Sequence, residues 1–171
     1  MCVEAFLRGM NVICEKPVAT VQEDYEILRK AYSTSAVHFA AMTWMRYDPA
    51  MYTCWEAVRA GRVGKVRLVQ AQKSYGLGRR PDFYLRRETS SGMSPWVGSH
   101  AIDLIAWLSG EKFKSVFGAH SSQFNHDHGD LEMSAMCQFT MTGEVYASAS
   151  MDYLNPANAL SHGDDRVRVA G

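Results

Sequence analysis

The sequence has little of what would fix its class at a glance. Its four cysteines, Cys2, Cys14, Cys54 and Cys137, are widely separated and form no Cys-x-x-Cys pair. That spacing supports neither a zinc or redox motif nor a disulfide framework, and it suits a reduced, cytoplasmic setting. Neither sign of charge is in excess, with Lys plus Arg at 18 and Asp plus Glu at 18. Nucleic-acid binders usually show a basic surplus, so no nucleic acid is expected as a partner. The Arg79-Arg80 and Arg86-Arg87 pairs are too small a footprint to change that. No apolar run approaches the roughly 18 residues that span a bilayer, so no membrane partner is expected. Glu4 and Arg8 interrupt the apolar start, so these residues are not expected to form a signal peptide. Repeats, low-complexity tracts and a proline-rich linker are also missing.

What remains is an ordinary globular composition, 171 residues with 47% hydrophobic and 21% charged. A chain of this size can bury one good core, or two small ones. Ten methionines suit flexible core filling.

The elements alternate in type, which predicts α/β architecture in the first part. Residues 2–9 read as the end of a helix, with Val3, Phe6 and Leu7 on one face and Gly9 at its close. Val12-Ile13-Cys14 suits a buried strand running into Glu15-Lys16-Pro17. Thr20-Val21-Gln22-Glu23 has the form of a capping box and predicts a helix to about Ser33. Val37–Met45 reads as a second apolar strand, expected to be covered on both faces like its neighbour. Asp48 as N-cap, Pro49 at the first turn and Gly61 at the end delimit another helix.

From Lys65 to Ser74 the pattern alternates. Residues 76–97 read as a long functional loop with one helical turn at Pro81–Leu85. Gly98–Leu108 is helical, and strands are expected at 112–122, 131–141 and 144–153, the last two joined by a Thr142-Gly143 turn. These later strands have the wetter look of an antiparallel sheet. The expected fold is thus α/β (α+β): residues 1–45 as the tail of a Rossmann-like parallel sheet, and residues 46–171 as a domain with a mostly antiparallel sheet. Four elements are too few to close a doubly wound sheet, so the chain is expected to start and stop inside larger elements. The other reading is a capping helix on one compact domain.

Two residues have chemistry in their favour. Lys16 lies at the carboxyl end of a parallel strand, where α/β sheets bind ligands. Its ammonium can hold a substrate oxygen and stabilise negative charge developing there, though a plain surface lysine fits the same pattern. His100, early on a helix after a flexible loop, can carry a proton near neutral pH from a cleft. A buried histidine serving one local hydrogen bond is the alternative. Asp103, at i+3 from His100, can share its face. Tyr75, Arg79, Arg80 and Tyr84 can meet a hydroxylated or anionic substrate, or simply line a solvated loop. His126-Asp127-His128 reads as a solvent-exposed hairpin loop, so no metal is expected.

The run Gly9-Met10-Asn11-Val12-Ile13-Cys14-Glu15-Lys16-Pro17-Val18-Ala19-Thr20 resembles the family of glucose–fructose oxidoreductase and inositol dehydrogenase (Gfo/Idh/MocA). Four further segments agree in order: Arg46-Tyr47-Asp48-Pro49, Gly61–Val66, Gly98-Ser99-His100-Ala101-Ile102-Asp103-Leu104, and Arg166–Gly171.

The resemblance implies an NAD(P)-dependent oxidoreductase acting on a hydroxyl-bearing carbon of a sugar, cyclitol or similar small molecule. It implies Lys16 and His100 as catalytic, Trp96 and Asp103 at the substrate, and Glu15, Lys16, Pro17 and Arg46 at the cofactor. A homo-oligomer through the C-terminal sheet is implied as well. The family's Gly-x-Gly-x-x-Gly fingerprint does not occur in these residues, so no tight NAD or NADP binding and no turnover are expected of this chain alone. Trp96 also stands where the family places an aspartate that assists the histidine. An indole cannot orient an imidazole as a carboxylate does, but it can wall off a cyclic substrate. The rival expectations are a non-catalytic oligomerisation module and a small-molecule-binding module.

Overall fold

Gly9 adopts φ +70°, a conformation glycine reaches without steric cost, and this lets the chain leave helix α1 (Cys2–Leu7) and turn into strand β1 (Val12–Glu15). The computed structural model describes residues 1–121 and 128–171. Its contacts divide the chain into two units, Met1–Thr43 and Trp44–Gly171.

In the first unit, β1 pairs in parallel with β2 (Phe39–Met42), Val12 opposite Phe39, and helix α2 (Gln22–Ser33) makes the crossover. Phe6, Tyr32 and Phe39 form an aromatic cluster with ring centroids 5.4 to 5.8 Å apart. The capping box does not form: Val21 is the N-cap of α2 and contributes no side-chain bond. The predicted second strand is shortened, because the chain turns into a 3-10 helix at Trp44–Tyr47. Coverage on both faces is not seen either, since Ile13 is 76% exposed.

The second unit opens with that 3-10 turn and helix α3 (Pro49–Arg59). The Asp48 side chain accepts from the backbone N–H groups of Ala50 and Met51, as the sequence predicts. Then follow β3 (Leu68–Tyr75), the single helical turn α4 (Arg87–Ser90), α5 (Ser99–Ser109), β4 (Phe113–His120), β5 (Ser134–Met141), β6 (Tyr146–Asp152) and β7 (Gly163–Ala170). The five strands order as β4-β5-β6-β3-β7. All neighbours are antiparallel except β3 and β6, which are parallel. With that one parallel pair the sheet is mostly antiparallel, as the sequence predicts. Helix α5 lies in the crossover between them, and a parallel pair needs such a crossover.

Helix α5 is apolar on more than one side. Ala101 and Ile105 enter the core that covers the sheet, with Val69, Ala71, Ala149 and Met151. Leu104 and Leu108 enter a second core with Met45 and Met51, flanked by the stacked indoles of Trp55 and Trp107. A π-helical turn, Ser94–Gly98, leads into α5 and crosses so close to β6 that a Cβ on Gly98 would strike the Met151 sulfur.

Leu104 is fully buried. Leu104→Ala is expected to cost about 2–5 kcal/mol in urea unfolding followed by circular dichroism. Asp48→Ala, which removes only the α3 cap, is expected to cost about 1 kcal/mol.

Candidate functional site

The sheet face under α5 is set by the alternation of β3. Val69, Ala71 and Lys73 point to the same side and all are buried. Lys73 is 1% exposed, which requires a partner. Asp165 supplies it from the opposite position on β7, and the two make an ion pair. The Lys73 ammonium also sits 4.4 Å from the Tyr75 ring centroid and 5.1 Å from that of Trp44. Two aromatic faces and one carboxylate thus replace its water.

The other side of Trp44 serves the histidine. His100 meets the Trp44 ring edge-on at 5.6 Å and is itself 2% exposed. It therefore does not face an open cleft. The first turn of α5 holds it down because Ala101 beside it is completely buried. Asp103 points elsewhere than expected. It makes a bidentate pair with Arg46, Nε to Oδ2 at 2.7 Å and Nη2 to Oδ1 at 2.5 Å. That bond raises the Arg46 pKa further, even though partial burial opposes it. The pair ties the 3-10 turn carrying Trp44 to the helix carrying His100.

Trp96, in the π-helical turn, donates Nε1–H to the Ser90 carbonyl at 2.6 Å. Its ring meets Tyr84 at 4.9 Å and Phe83 at 6.1 Å, forming an aromatic wall with the 3-10 turn Asp82–Leu85. Beside it, Arg80 lies over the Tyr153 ring at 4.8 Å, and His128 meets the same ring edge-on at 4.7 Å. Burial pushes the Tyr75 and Tyr153 hydroxyls up to about 12, so both stay protonated donors at neutral pH.

Of the His126-Asp127-His128 run, the first two residues lie outside the described residues. His128 is buried, not exposed. It is enclosed because its ring packs on Tyr153, its Nδ1 bonds the Glu132 carbonyl, and Gly129 (φ +67°) approaches the Leu85 carbonyl too closely for any side chain. Among the described residues no group of three His, Cys, Asp or Glu is placed to hold a metal.

Glu15, Lys16 and Pro17 belong to the first unit. Glu15 ends β1, and Lys16 and Pro17 follow it through a cis peptide. The second unit brings together His100, Trp44, Lys73 and Asp165, and separately Arg46 with Asp103. Sequence reasoning missed Lys73 and Asp165. Their signal was a charged residue at the apolar step of each strand, Val69-x-Ala71-x-Lys73 against Asp165-x-Val167-x-Val169.

A parallel β1–β2 pair ahead of an open, mostly antiparallel sheet with one helix across it is the architecture of the C-terminal half of oxidoreductases. Residues 51–171 match the model of the GFO/IDH/MocA C-terminal domain, and the chain belongs to that family. It superposes on a structure from Thermotoga maritima assigned as an oxidoreductase with a TM-score of 0.95 and 50% identity, covering 99% of this chain and 52% of that one. The NAD complex of GenD2, from gentamicin A biosynthesis, shares the fold at TM-score 0.86 and 20% identity, over 99% of this chain and 48% of that one. The rhizopine catabolism protein MocA of Rhizobium meliloti is 27% identical over 105 residues, 61% of this chain and 32% of its own length. The chain thus spans about half the length of these solved structures and a third of that curated relative. Among the described residues no helix is long and apolar enough to cross a membrane.

Near the Arg80 cluster two titrating groups share a sign. Burial lowers the His128 pKa, which favours folding above the unfolded value of about 6.5. Glu132 is 3% exposed, and burial alone would raise its carboxyl. Its own and the Met93 N–H groups, with Arg87 at 2.5 Å, outweigh this and hold it below the usual range. That contribution is present above about pH 4.3 and drains away as pH falls below it. Melting temperature measured against pH is expected to fall in two steps. His128→Phe flattens the upper step and Glu132→Gln the lower.

Proposed function

We propose that this chain carries the substrate half of an NAD(P)-dependent oxidoreductase that oxidises a hydroxyl-bearing carbon of a sugar, cyclitol or related small molecule. The observation that carries the reading is His100. It is a buried proton carrier, held against Trp44 by the Arg46–Asp103 tie, in a chain of this family. His100 accepts the hydroxyl proton as the carbon is oxidised and returns it in the reverse direction. Lys16 orients the substrate oxygen and stabilises its developing charge. Trp96, with Tyr84, walls the ring of the substrate. Asp103 and Arg46 spend their bonds on each other, so both are positioning residues for His100 rather than direct contacts of substrate or cofactor.

The bound nicotinamide supplies or takes the hydride. Glu15, Lys16 and Pro17 fit its neighbourhood, because they stand at the carboxyl end of a parallel strand. The chain contains no Gly-x-Gly-x-x-Gly, so it offers nothing comparable to the pyrophosphate. Dinucleotide titration of the 171 residues is expected to show weak binding. The low exposure of His100 suits a reaction kept away from water.

The face of the sheet turned away from α5 supports self-association. Tyr146, Phe117 and Met136 are each more than half exposed there, and the first two line a hollow of about 450 Å³. By the strand registers, Arg166 and Arg168 share this face with Asp152 and Asp164. An apolar patch with both charge signs on its rim can complement itself across a two-fold axis. A non-catalytic module would keep that interface alone.

In the intact protein, His100→Ala is expected to lower kcat for sugar oxidation by about 10²–10⁴-fold, read as nicotinamide absorbance, with Lys16→Ala acting in the same direction. Unchanged turnover in both removes them from the mechanism. Phe117→Asp is expected to halve the mass seen by light scattering while leaving the circular dichroism spectrum intact.

A further inference from the structure

The loop Gly76–Arg80 separates two hollows that share Leu77 and Gly78 in their walls. The larger, about 580 Å³, is lined also by Tyr153, Asn155 and His162. The smaller, about 280 Å³, is lined by Arg79, Arg80 and Leu85. The larger lies within the range of about 300–1,000 Å³ in which small ligands bind, and the smaller is just below it. The 155–162 segment is held open by its own bonds. The Asn155 amide donates to the carbonyls of Ser161 and His162, and the Asn155 N–H donates to Tyr75. His162 stacks on Tyr75 with centroids 5.6 Å apart. Gly78, at φ +57°, has nothing within 4 Å of where a side chain would begin, so the backbone there is accessible.

Arg80 is the charge in this setting. Its guanidinium lies over Tyr153, a wall of the larger hollow, at 4.8 Å. Among the described residues it makes no ion pair. Among those residues its one hydrogen bond is long, 3.5 Å to the Gly76 carbonyl, and its Nε is enclosed with no partner among them. Among the described residues, Glu132 and Asp165 each have an ion pair of their own, with Arg87 and Lys73. The unneutralised charge is felt by Tyr75, Tyr153 and His128, whose pKa values it lowers against the other influences on them. An arginine stacked at a cavity wall, with donors unused among the described residues, is suited to grip an oxyanion with two parallel bonds.

We propose that Arg80 is a specificity residue that binds an oxyanion, a carboxylate or a phosphoryl group, on the hydroxylated small molecule taken by this chain. The proposal rests on the oxidoreductase reading only for calling that molecule a substrate. A neutral polyol would leave the guanidinium unmatched, so an acidic sugar is preferred over its neutral counterpart.

Every residue concerned lies in the unit Trp44–Gly171, so binding can be measured on this chain by calorimetry without cofactor or turnover. The probes are D-glucuronate, D-glucose 6-phosphate and D-glucose. At least one of the two acids is expected to bind tenfold or more tightly than glucose, and which one does tells carboxylate from phosphoryl. Arg80→Gln is expected to abolish the difference. Arg80→Lys, which keeps the charge and the stem but loses the fork, is expected to retain part of it. Equal affinity for glucose and both acids in the unaltered chain overturns the proposal, whatever the variants do. So does an acid preference that survives in a folded Arg80→Gln chain. Failure of the oxidoreductase reading looks different: the acid preference stays while the intact protein transfers no hydride.

Discussion

Helix α5 has to be buried on two sides at once, and most of the second unit follows from that. One side needs the sheet, and Val69, Ala71, Ala149 and Met151 provide it. The other needs a cover, and Met45, Met51 and the Trp55–Trp107 stack provide it. The burial fixes the helix in rotation as well as in place. Ala101 and Leu104 cannot be withdrawn without opening a cavity, so His100 and Asp103, in the same turns, have no freedom to point elsewhere. The bidentate Arg46–Asp103 pair then brings the Trp44–Tyr47 turn into register with the helix. Trp44 stands between His100 and Lys73 as a consequence.

Polar groups in this setting are costly unless matched, and the matching is local. Lys73 takes Asp165 and two aromatic faces, and Glu132 takes Arg87 and backbone N–H groups. Arg80 breaks the pattern, because it is stacked and half-buried yet has no carboxylate among the described residues. An unmatched cation in a hollow differs from the matched ones in what it can still do, and that separates a residue of the framework from one available to a ligand.

Where local chemistry decides, the sequence was readable. Asp48-Pro49 caps and starts α3, Gly143 at φ +64° turns between β5 and β6, and the Glu15-Lys16-Pro17 run ends a parallel strand, each as expected. Where tertiary contacts decide, it was not. Thr20–Glu23 has the letters of a capping box, yet the helix begins one residue later than that box requires. The parallel pairing of β3 with β6 joins residues about 80 positions apart, which no local pattern records. His100 was legible as a candidate proton carrier, but it packs against Trp44, 56 positions away in sequence, and Asp103 pairs with Arg46, 57 residues away. Lys73 and Asp165 were hidden for the same reason, since each looks like a surface charge until the strands are laid side by side.

If the chain takes part in hydride transfer from a hydroxyl-bearing carbon, as we propose, a label on that carbon must follow the hydride. The most direct measurement uses the intact protein with dinucleotide and a panel of sugars and cyclitols deuterated at their carbinol carbons, followed by mass spectrometry of the recovered dinucleotide. Deuterium from at least one of them is expected on the nicotinamide ring, and is expected to be missing there with His100→Ala. Recovery of unlabelled dinucleotide with every member of the panel, from protein that binds the cofactor, would contradict it.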